Sequence, residues 1–575
     1  MPSLTAVLIP RVQSAIATAF GPEFADADPV IRDSKFADVQ INAPLALAKR
    51  LGRPPREVAA AIMEHLDLAD VCDAVEVSGP GFINLTASAQ WVSTNASEQA
   101  ADPRTGLPAP GSQRIVIDYS APNVAKEMHV GHLRTTIVGD ALARILQTLG
   151  HTVIRQNHIG DWGTPFGMLI EHLLDVGDDS EQAKLLQTDP NTFYQQARSK
   201  FDSDPAFAER SRNRVVALQA GDARTLALWE DLLASSRVYF NRIYSTLGVT
   251  LTDADLAGES TYNPDLPQVC AELEAAGLAR ISEGALCAFP AGFTGRDDQP
   301  MAMIVRKSDG GYGYATTDLA TIRHRVSKLG ADRILYVVGA TQALHLQMVF
   351  ATAREAGWLP ADVEVEHVQI GSVLGADNKM LKTRSGDSVK LMDLLTGAIE
   401  RAGAVLAQLR PELPEQQAQI IAAQIGIGAV KYADLSVAHD SGYTFDFDRM
   451  LALTGNTGPY LQYAVARIRS MFRRAGEDPE AARTITVTES AERDLALLLA
   501  SFGDVVTTVA EESAPHKLCN YLYEVATAFS TFYENCPVLK AAGDVRESRL
   551  SLSALTMRVL VTGLDLLGVQ APEQM

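Results

Sequence analysis

Two segments of the sequence alternate strand-like and helix-like patterns in the order strand, loop, helix, strand, and this alternation constrains the fold most. The first runs from RIVIDY at residues 114–119, through apolar residues at helical spacing, to HTVIRQNHI at 151–159. The second runs from DRILYVVG at 332–339 to VEVEHVQIGSVLG at 363–375. Such units build a parallel sheet covered by helices, with ligands bound at the carboxyl ends of the strands. The alternation therefore predicts a parallel, nucleotide-binding sheet.

The remaining patterns divide the chain into three predicted domains. At 575 residues the chain exceeds what one hydrophobic core usually supports. Residues 99–113 carry three prolines and two glycines without periodicity, which predicts a linker. We expect a small α+β domain at 1–105, the sheet domain at 106–392 with an insertion at about 175–330, and an all-α domain at 393–575.

The composition limits the partners of the chain. The formal net charge of −20 disfavours nonspecific binding to nucleic acid, because like charges repel phosphate. We therefore expect no DNA partner. No apolar run approaches the roughly 20 residues of a membrane span, so we also expect no membrane partner. The five cysteines are scattered without a CxxC pair, which is typical of a reducing cytoplasm and argues against a disulfide framework or a zinc site. RNA held by a local basic face stays compatible with these values.

Two histidines flank a glycine at the turn between the first strand and its helix. His129 and His132 lie three residues apart around Gly131. A helix N-terminus leaves backbone N–H groups without partners and favours anions, and imidazole N–H groups can donate to phosphate oxygens. A metal pair and a structural helix cap are the alternatives, although no thiolate or acidic ligand at suitable spacing accompanies the histidines. The pattern favours a polyphosphate site.

A basic segment follows the last predicted parallel strand. It places Lys379, Lys382 and Arg384 in a loop bounded by glycines. A mobile basic loop could close over a polyphosphate and stabilise the charge of a transition state. A solvated run of surface charge is the simpler alternative. Its position at the carboxyl end of a strand favours the functional interpretation.

Together the histidine pair and the basic segment resemble the signature motifs of the class I aminoacyl-tRNA synthetases. HVGH at 129–132 matches the HIGH signature of that class, and KMLKT at 379–383 matches its KMSKS loop. The longer phrases DYSAPNVAKEMHVGHLRTT, HIGDWGTPFGMLI, YATTDLATI and TGNTGPYLQYAVARIRS are similar to the bacterial arginyl-tRNA synthetases in particular. The resemblance covers the whole chain. It implies a multidomain α/β fold with an N-terminal domain that binds the tRNA D-loop corner, a Rossmann-type catalytic domain and a helical, DALR-type anticodon-binding domain.

The resemblance also implies a reaction. Arginine and ATP would form arginyl adenylate, from which arginine would pass to the terminal ribose of tRNA(Arg) for protein synthesis. Mg²⁺ would accompany ATP, and the protein would hold no structural metal. His129, Gly131 and His132 would bind ATP. The catalytic lysines implied for the leaving pyrophosphate are Lys126, Lys379 and Lys382.

Five further residues would form the arginine pocket by the same resemblance. A guanidinium is a planar fork of five donors, so a selective pocket needs carboxylates that accept paired hydrogen bonds. We expect Asp318 to accept from the guanidinium, Asp118 to add negative charge and Tyr314 to pack along the methylene stem. The pocket would be completed by Asn123 and Gln342.

The resemblance places tRNA contacts in both flanking domains. Tyr460 and Tyr463 lie three apart with Arg467 four further on, a possible platform for stacked anticodon bases, although such a pair is also typical of a helix core. Phe82 and Asn84 occupy the D-loop reading position of the family, where an aromatic ring stacks and an amide hydrogen-bonds a base. From the residues alone, a plain strand is the favoured interpretation of that segment.

Two other classes of function share some of these features. Another class I synthetase or an HxGH nucleotidylyltransferase would have the same ATP motifs, but the cysteine enzymes use a zinc thiolate site that this chain lacks, and small nucleotidylyltransferases lack a helical domain of this length. A nonenzymatic tRNA-binding paralogue would be expected to lose His132 or Lys382, and both are present. The family suggests a cytoplasmic monomer.

Overall fold

The computed structural model describes residues 2–124, 126–177, 180–295, 298–381, 389–481 and 484–575. These residues divide into two compact units. One comprises Met1–Ala109, Leu453–Asp565 and Gln570–Met575, and the other comprises Pro110–Ala452 and Leu566–Val569. No helix of the described residues is long and apolar enough to cross a membrane.

The N-terminal part of the first unit is a four-stranded antiparallel sheet with four helices. Ser3 begins the first helix by accepting the N–H of Ala6, and Ser88 begins the fourth by accepting that of Trp91. The strand order is β1-β2-β4-β3. The elements are α1 (Leu4–Phe20), β1 (Ile31–Asp33), β2 (Val39–Ile41), α2 (Ala43–Leu51), α3 (Pro55–Met63), β3 (Cys72–Ser78), β4 (Phe82–Ala87) and α4 (Ala89–Ala101).

The second unit is built on a parallel sheet in the order β11-β10-β5-β6. Its strands are β5 (Arg114–Asp118), β6 (Thr152–Gln156), β10 (Arg333–Gly339) and β11 (Glu364–Ile370). The two predicted strand-loop-helix-strand units are therefore confirmed, and each contributes two neighbouring strands. Both β5 and β10 are buried along most of their length, as expected of a parallel sheet covered on its faces.

Helices and short strands surround this sheet. A small antiparallel sheet, β7-β8-β9, and the helices α11 to α13 share one hydrophobic cluster with Val116 of β5 and Ile334 of β10. The elements up to this cluster are α5 (Gly131–Thr148), α6 (Thr164–Val176), α7 (Leu185–Thr188), α8 (Pro190–Ser203), α9 (Pro205–Gln219), α10 (Ala223–Leu247), α11 (Leu266–Ala275), β7 (Ala279–Ser282), β8 (Ala285–Ala288), β9 (Met303–Arg306), α12 (Tyr314–Ser327) and α13 (Ala343–Glu355).

The last part of the second unit is mainly helical. Its elements are β12 (Val373–Leu374), α14 (Leu391–Leu409), α15 (Glu415–Leu435), β13 (Tyr443–Thr444) and α16 (Phe447–Met450). Helix α15 is joined to α5 by an ion pair of 3.0 Å between Arg134 and Asp434, which are both fully buried. Helices α14 and α15, which the sequence assigned to the C-terminal domain, thus belong to the unit with the parallel sheet. The domain boundaries themselves stay predictions.

The first unit is completed by five C-terminal helices. They are α17 (Gly458–Ala475), α18 (Ser490–Ala500), α19 (Phe502–Glu512), α20 (Pro515–Asn535) and α21 (Gly543–Leu566). Arg493 of α18 pairs with Asp38, and Arg549 of α21 pairs with Glu492 of α18 at 2.7 Å. The predicted class, multidomain α/β with a parallel sheet, a small N-terminal α+β part and a helical C-terminal part, is confirmed.

Candidate active site

A cavity of about 340 Å³ opens at the carboxyl ends of the parallel strands. Crevices in this position of an open parallel sheet are the usual ligand sites. The cavity brings together all five residues predicted for the amino-acid pocket. Its lining is Asp118, Ala121, Asn123, His158, Gly160, Glu259, Tyr314, Asp318, Tyr336, Val338, Gln342, His345 and Leu346.

Two of the three carboxylates of this cavity already have a partner in the protein. Asp118, the last residue of β5, accepts a hydrogen bond of 2.7 Å from the fully buried Arg325 through Oδ2. Its Oδ1 is buried and has no hydrogen-bond partner among the described residues. Asp318 accepts from Nε2 of His345 at 2.6 Å, and this hydrogen bond raises the pKa of His345. Asp118 therefore offers the cavity an acceptor whose charge Arg325 already balances.

Glu259 is the third carboxylate, and sequence reasoning did not select it. Burial raises its pKa to about 8, and the nearby Asp161 and Asp318 contribute in the same direction. Within the described ranges Glu259 forms no ion pair. A cationic ligand would therefore meet the carboxylate of Asp318, which His345 contacts, and the carboxyl of Glu259, which becomes charged when it loses its proton.

The other predicted pocket residues differ in exposure and in local structure. Tyr314, the first residue of α12, lines the cavity and is still 75% exposed, so its ring is available to a ligand. Asn123 faces Gly160, where an added Cβ would lie 2.7 Å from Oδ1 of Asn123, so a larger residue there would displace the Asn123 amide. Gln342 lies at the start of α13.

The two histidines of the HVGH segment form a defined pair. Nδ1 of His132 accepts the backbone N–H of His129 at 3.1 Å, and Nδ1 of His129 accepts that of Gly131 at 3.0 Å. Because both Nδ1 atoms accept, each neutral ring carries its proton on Nε2. Burial lowers both pKa values, that of His132 to about 3, and the neighbouring Lys126 adds to the effect. The pair therefore offers two neutral Nε2–H donors.

Glycine between these histidines makes room for the observed position of the His129 ring. An added Cβ at Gly131 would lie 2.8 Å from Cε1 of His129, which is closer than carbon atoms approach. The ring centroids of His129 and His132 are 4.1 Å apart. The HVGH pattern is thus a local geometry in which the missing side chain lets the first ring fold over the helix start.

The two described lysines of the predicted phosphate site lie in different environments. Nζ of Lys126 lies 4.2 Å from the ring centroid of Tyr194, and Lys126 also lines a second cavity, of about 490 Å³, together with Tyr239 and Arg242. Lys379 is exposed in the turn after β12. Lys382 lies outside the described residues.

The chain on the far side of this loop returns to the HVGH segment. The N–H of Val130 donates to the carbonyl of Val389 at 3.0 Å, and the N–H of Leu391 donates to that of Met128 at 2.9 Å. Lys390 pairs with Glu127 at 2.8 Å. Residues 389–391, which follow the basic loop in the sequence, therefore lie beside the HVGH segment.

The residues predicted to contact the tRNA D-loop lie on β4. Phe82 is half-buried at the start of β4. Asn84 is buried in the middle of the sheet, where its amide donates to Ser78 at 2.9 Å and accepts from Ser34 at 3.4 Å. The amide of Asn84 thus already has protein partners.

The predicted anticodon platform lies on α17. Tyr463 is 45% exposed, so it is not a core residue. Tyr460 is half-buried with its ring centroid 5.6 Å from that of Tyr523, and the guanidinium of Arg467 lies 4.5 Å from the ring centroid of Tyr533. The helix therefore presents one open ring beside two aromatic contacts.

The residues that sequence reasoning missed share one property: their role depends on partners from distant segments. Glu259, His158 and His345 reach the cavity from three separate parts of the chain. Arg325 had a usable signal, because it lies seven residues after Asp318 and therefore on the same helix face. No group of three or more acidic, histidine or cysteine side chains that could hold a metal occurs in the described part of the chain.

Comparison with known proteins gives matches over the whole chain. Three family models match: tRNA synthetases class I (R), catalytic domain, at residues 99–447; DALR anticodon binding domain at 461–575; and arginyl tRNA synthetase N terminal domain at 6–87. Similar proteins include the arginine–tRNA ligase of Thermobifida fusca, 66% identical over 571 residues, and that of Frankia casuarinae, 52% identical over 580 residues. Each alignment covers 99% of both chains.

Two solved structures are similar to this chain over its full length. The chain is similar to arginyl-tRNA synthetase from Plasmodium falciparum with a TM-score of 0.85 and 27% identity, over 100% of both chains. It is similar to the Thermus thermophilus arginyl-tRNA synthetase with a TM-score of 0.83 and 25% identity, also over 100% of both.

Proposed function

The chain belongs to the arginyl-tRNA synthetase family, and we propose that it ligates L-arginine to tRNA(Arg) with ATP, through an arginyl-adenylate intermediate. The observation that carries this proposal is the cavity at the carboxyl ends of β5, β6 and β10. Asp118, Glu259 and Asp318 line it together with an exposed tyrosine ring. A planar cation with several donors is the side chain that such a set of acceptors fits.

Two bond exchanges make up the proposed reaction. The carboxylate oxygen of arginine attacks the α-phosphorus of ATP, and the bond from that phosphorus to the bridging oxygen breaks, so pyrophosphate leaves. A ribose hydroxyl of the terminal tRNA nucleotide then attacks the adenylate carbonyl carbon, loses its proton, and AMP leaves. ATP enters as its Mg²⁺ complex, which is a substrate.

The HVGH pair would act on the phosphates of ATP. The Nε2–H groups of His129 and His132 are neutral donors, so they can strengthen their hydrogen bonds as negative charge develops without having to lose a proton. Gly131 leaves the start of α5 open to the ligand. The lysines proposed for the leaving pyrophosphate are Lys126, Lys379 and Lys382.

The tRNA contacts are proposed on the first compact unit. Tyr463 offers an exposed ring for a stacked base, with Tyr460 and Arg467 beside it. Phe82 would stack at the D-loop corner, and the contribution of Asn84 requires that it exchange a present partner for a base. We further propose that the protein is a cytoplasmic monomer: the five free and buried cysteines support a reducing compartment, and the monomeric state rests on the family resemblance.

Aminoacylation is the direct test of this function. The purified chain is incubated with ATP, Mg²⁺, total tRNA and each of the 20 amino acids in turn, and charged tRNA is measured. Charging with arginine alone is expected. Charging with another amino acid would support a different class I synthetase, and tRNA binding without any charging would support the nonenzymatic paralogue.

A further inference from the structure

We propose that Arg325 is a positioning residue of the arginine site: it holds the Asp118 carboxylate so that one oxygen is bound in the protein and the other is presented to the substrate. This inference rests on the proposed function of the cavity. Arg325 does not line the cavity itself. Its guanidinium is fully buried beneath it, on α12.

The sheet register places the partners of Arg325 side by side. Tyr336 of β10 is the register partner of Asp118 in β5, and Asp118 is the register partner of Gln156 in β6. Register partners in a parallel sheet point to the same face. Three neighbouring strands therefore present one side chain each at the same level, beside the end of the sheet where the cavity opens.

One guanidinium contacts all three of these side chains. Arg325 donates to Asp118 Oδ2 at 2.7 Å and, through Nε, to Gln156 Oε1 at 2.7 Å. Its central carbon lies 4.8 Å from the ring centroid of Tyr336. The fork geometry of arginine allows these contacts at once, and lysine with its single ammonium cannot reproduce them.

The geometry leaves the second oxygen of Asp118 without a partner. Oδ1 is buried, lacks a hydrogen bond among the described residues, and belongs to a side chain that lines the cavity. A buried acceptor of this kind is costly unless a ligand satisfies it. Without Arg325 the carboxylate would also lack its compensating charge, and a buried carboxylate then takes up a proton more readily or turns away.

Helix α12, which carries Arg325, also contributes residues to the cavity. Tyr314, Asp318 and Arg325 are spaced by four and seven residues on α12, so they lie on one helix face. The first two line the cavity and the third fixes the strand ends. Helix α12 thus contributes both the contacts to substrate and the residue that positions a contact from another element.

A double-mutant cycle with Asp118 tests the inference in the aminoacylation assay. Arg325→Gln is expected to raise the arginine KM about tenfold or more while kcat changes less than about threefold, because ground-state and transition-state binding are lost together. In an Asp118→Asn background the same substitution is expected to change KM less than about twofold, because Arg325 acts through Asp118. Equal effects in both backgrounds, or an unchanged KM, would overturn the inference.

Two further variants separate positioning from general stability. Arg549→Gln removes another buried arginine–carboxylate pair, in the first unit, and is expected to lower thermal stability while the arginine KM stays within about twofold. A comparable rise in KM for Arg549→Gln would contradict a specific role of Arg325. If Arg325→Gln does not fold, Arg325→Lys carries the test with an expected KM rise of about threefold, and an unchanged KM overturns the inference. A wild-type chain that fails to charge arginine would contradict the proposed function instead.

Discussion

At the scale of single residues, the arginine pocket is a set of carboxylates whose charges are balanced to different degrees. Asp118 is paired with Arg325 and Asp318 with His345, whereas Glu259 faces Asp161 and Asp318 without an ion pair in the described segments. Burial raises the pKa of Glu259 to about 8, so the carboxyl of the free protein holds a proton near neutral pH. The carboxyl of Glu259 is therefore protonated in the free pocket, at the place where a cation is expected to bind.

Arginine binding is predicted to release this proton. The guanidinium lowers the pKa of Glu259, so the complex binds fewer protons than the free protein, and arginine affinity rises with pH until about 8. Titration calorimetry in two buffers of different ionisation enthalpy measures the released protons. His345 also releases protons when the cation binds. Glu259→Gln should therefore reduce the number of protons released, without abolishing the release, and should flatten the pH dependence of arginine affinity. Equal release from wild type and variant would show that Glu259 does not titrate with the ligand.

Residue choice also marks the limit of what the sequence could predict. Resemblance selected the five pocket residues, and the structure brings them to one cavity. Their pairing could not be predicted: the spacing to Asp318 places Arg325 on the same helix face, but its ion pair with Asp118 joins positions 207 residues apart. With 70 acidic residues in the chain, spacing alone does not single out Glu259.

At the scale of elements, the start of α5 presents two imidazoles as neutral donors. His132→Gln retains a neutral amide donor on a side chain of similar reach, whereas His132→Ala removes the donor. We expect adenylate formation to fall about 10²–10³-fold in the alanine variant and less in the glutamine variant. Single-turnover formation of adenylate with tRNA present measures both. Equal rates for the two variants would show that His132 acts by packing alone.

The rate of the wild type should also be insensitive to protonation of His132. Its pKa is lowered to about 3 by burial, so the ring stays neutral throughout the ordinary pH range. The periodicity of the sequence predicted α5, and in the structure Gly150 follows its last turn with φ 92°. The tautomers depend on backbone donors and could not be predicted.

Helix α17 distinguishes two tyrosines that look equivalent in the sequence. Tyr463 is 45% exposed, so Tyr463→Ala should cost about 1–3 kcal/mol of tRNA binding with unchanged thermal stability. Tyr460 packs on Tyr523, so Tyr460→Ala should lower both tRNA affinity and the melting temperature. Filter binding of tRNA and a thermal melt of each variant provide the two readouts. Normal tRNA affinity of Tyr463→Ala would exclude base stacking on its ring.

At the scale of the whole molecule, the proposed chemistry and the proposed anticodon contacts lie in different compact units. The parallel sheet with its cavity belongs to 110–452, and α17 belongs to the unit with the N-terminal sheet. The sequence predicted three consecutive domains from composition and periodicity. It could not predict that the N-terminal and C-terminal segments form one compact unit, because that association depends on pairs such as Arg493 with Asp38.

The resemblance to the arginyl-tRNA synthetases implies that arginine activation depends on tRNA, and we state this as a prediction. Tyr314 is 75% exposed and Lys379 lies on an exposed turn, so the described residues of the protein do not enclose these parts of the site. Docked tRNA would complete it by induced fit. ATP–pyrophosphate exchange with arginine should therefore be silent without tRNA and active with it. Exchange at the same rate in both conditions would contradict the prediction.

The central claim is that the cavity binds arginine through the charge of its carboxylates, and Asp318→Asn tests it most directly. The asparagine keeps an oxygen for His345 and removes the charge. The arginine KM should rise by a factor equivalent to about 2–5 kcal/mol. Citrulline, which is isosteric and neutral, should compete only weakly with arginine for the wild type. The substitution should lower the affinity for citrulline less than it lowers the affinity for arginine.

A matched control is Asp332→Asn, since Asp332 precedes the amino end of β10, away from the cavity, and accepts the N–H of Arg114 at 2.6 Å. The measurement is the arginine KM in aminoacylation for the wild type and the two variants, side by side. The account predicts a large rise for Asp318→Asn and a change within about 0.5 kcal/mol for Asp332→Asn. An arginine KM of Asp318→Asn within about twofold of the wild type would contradict it.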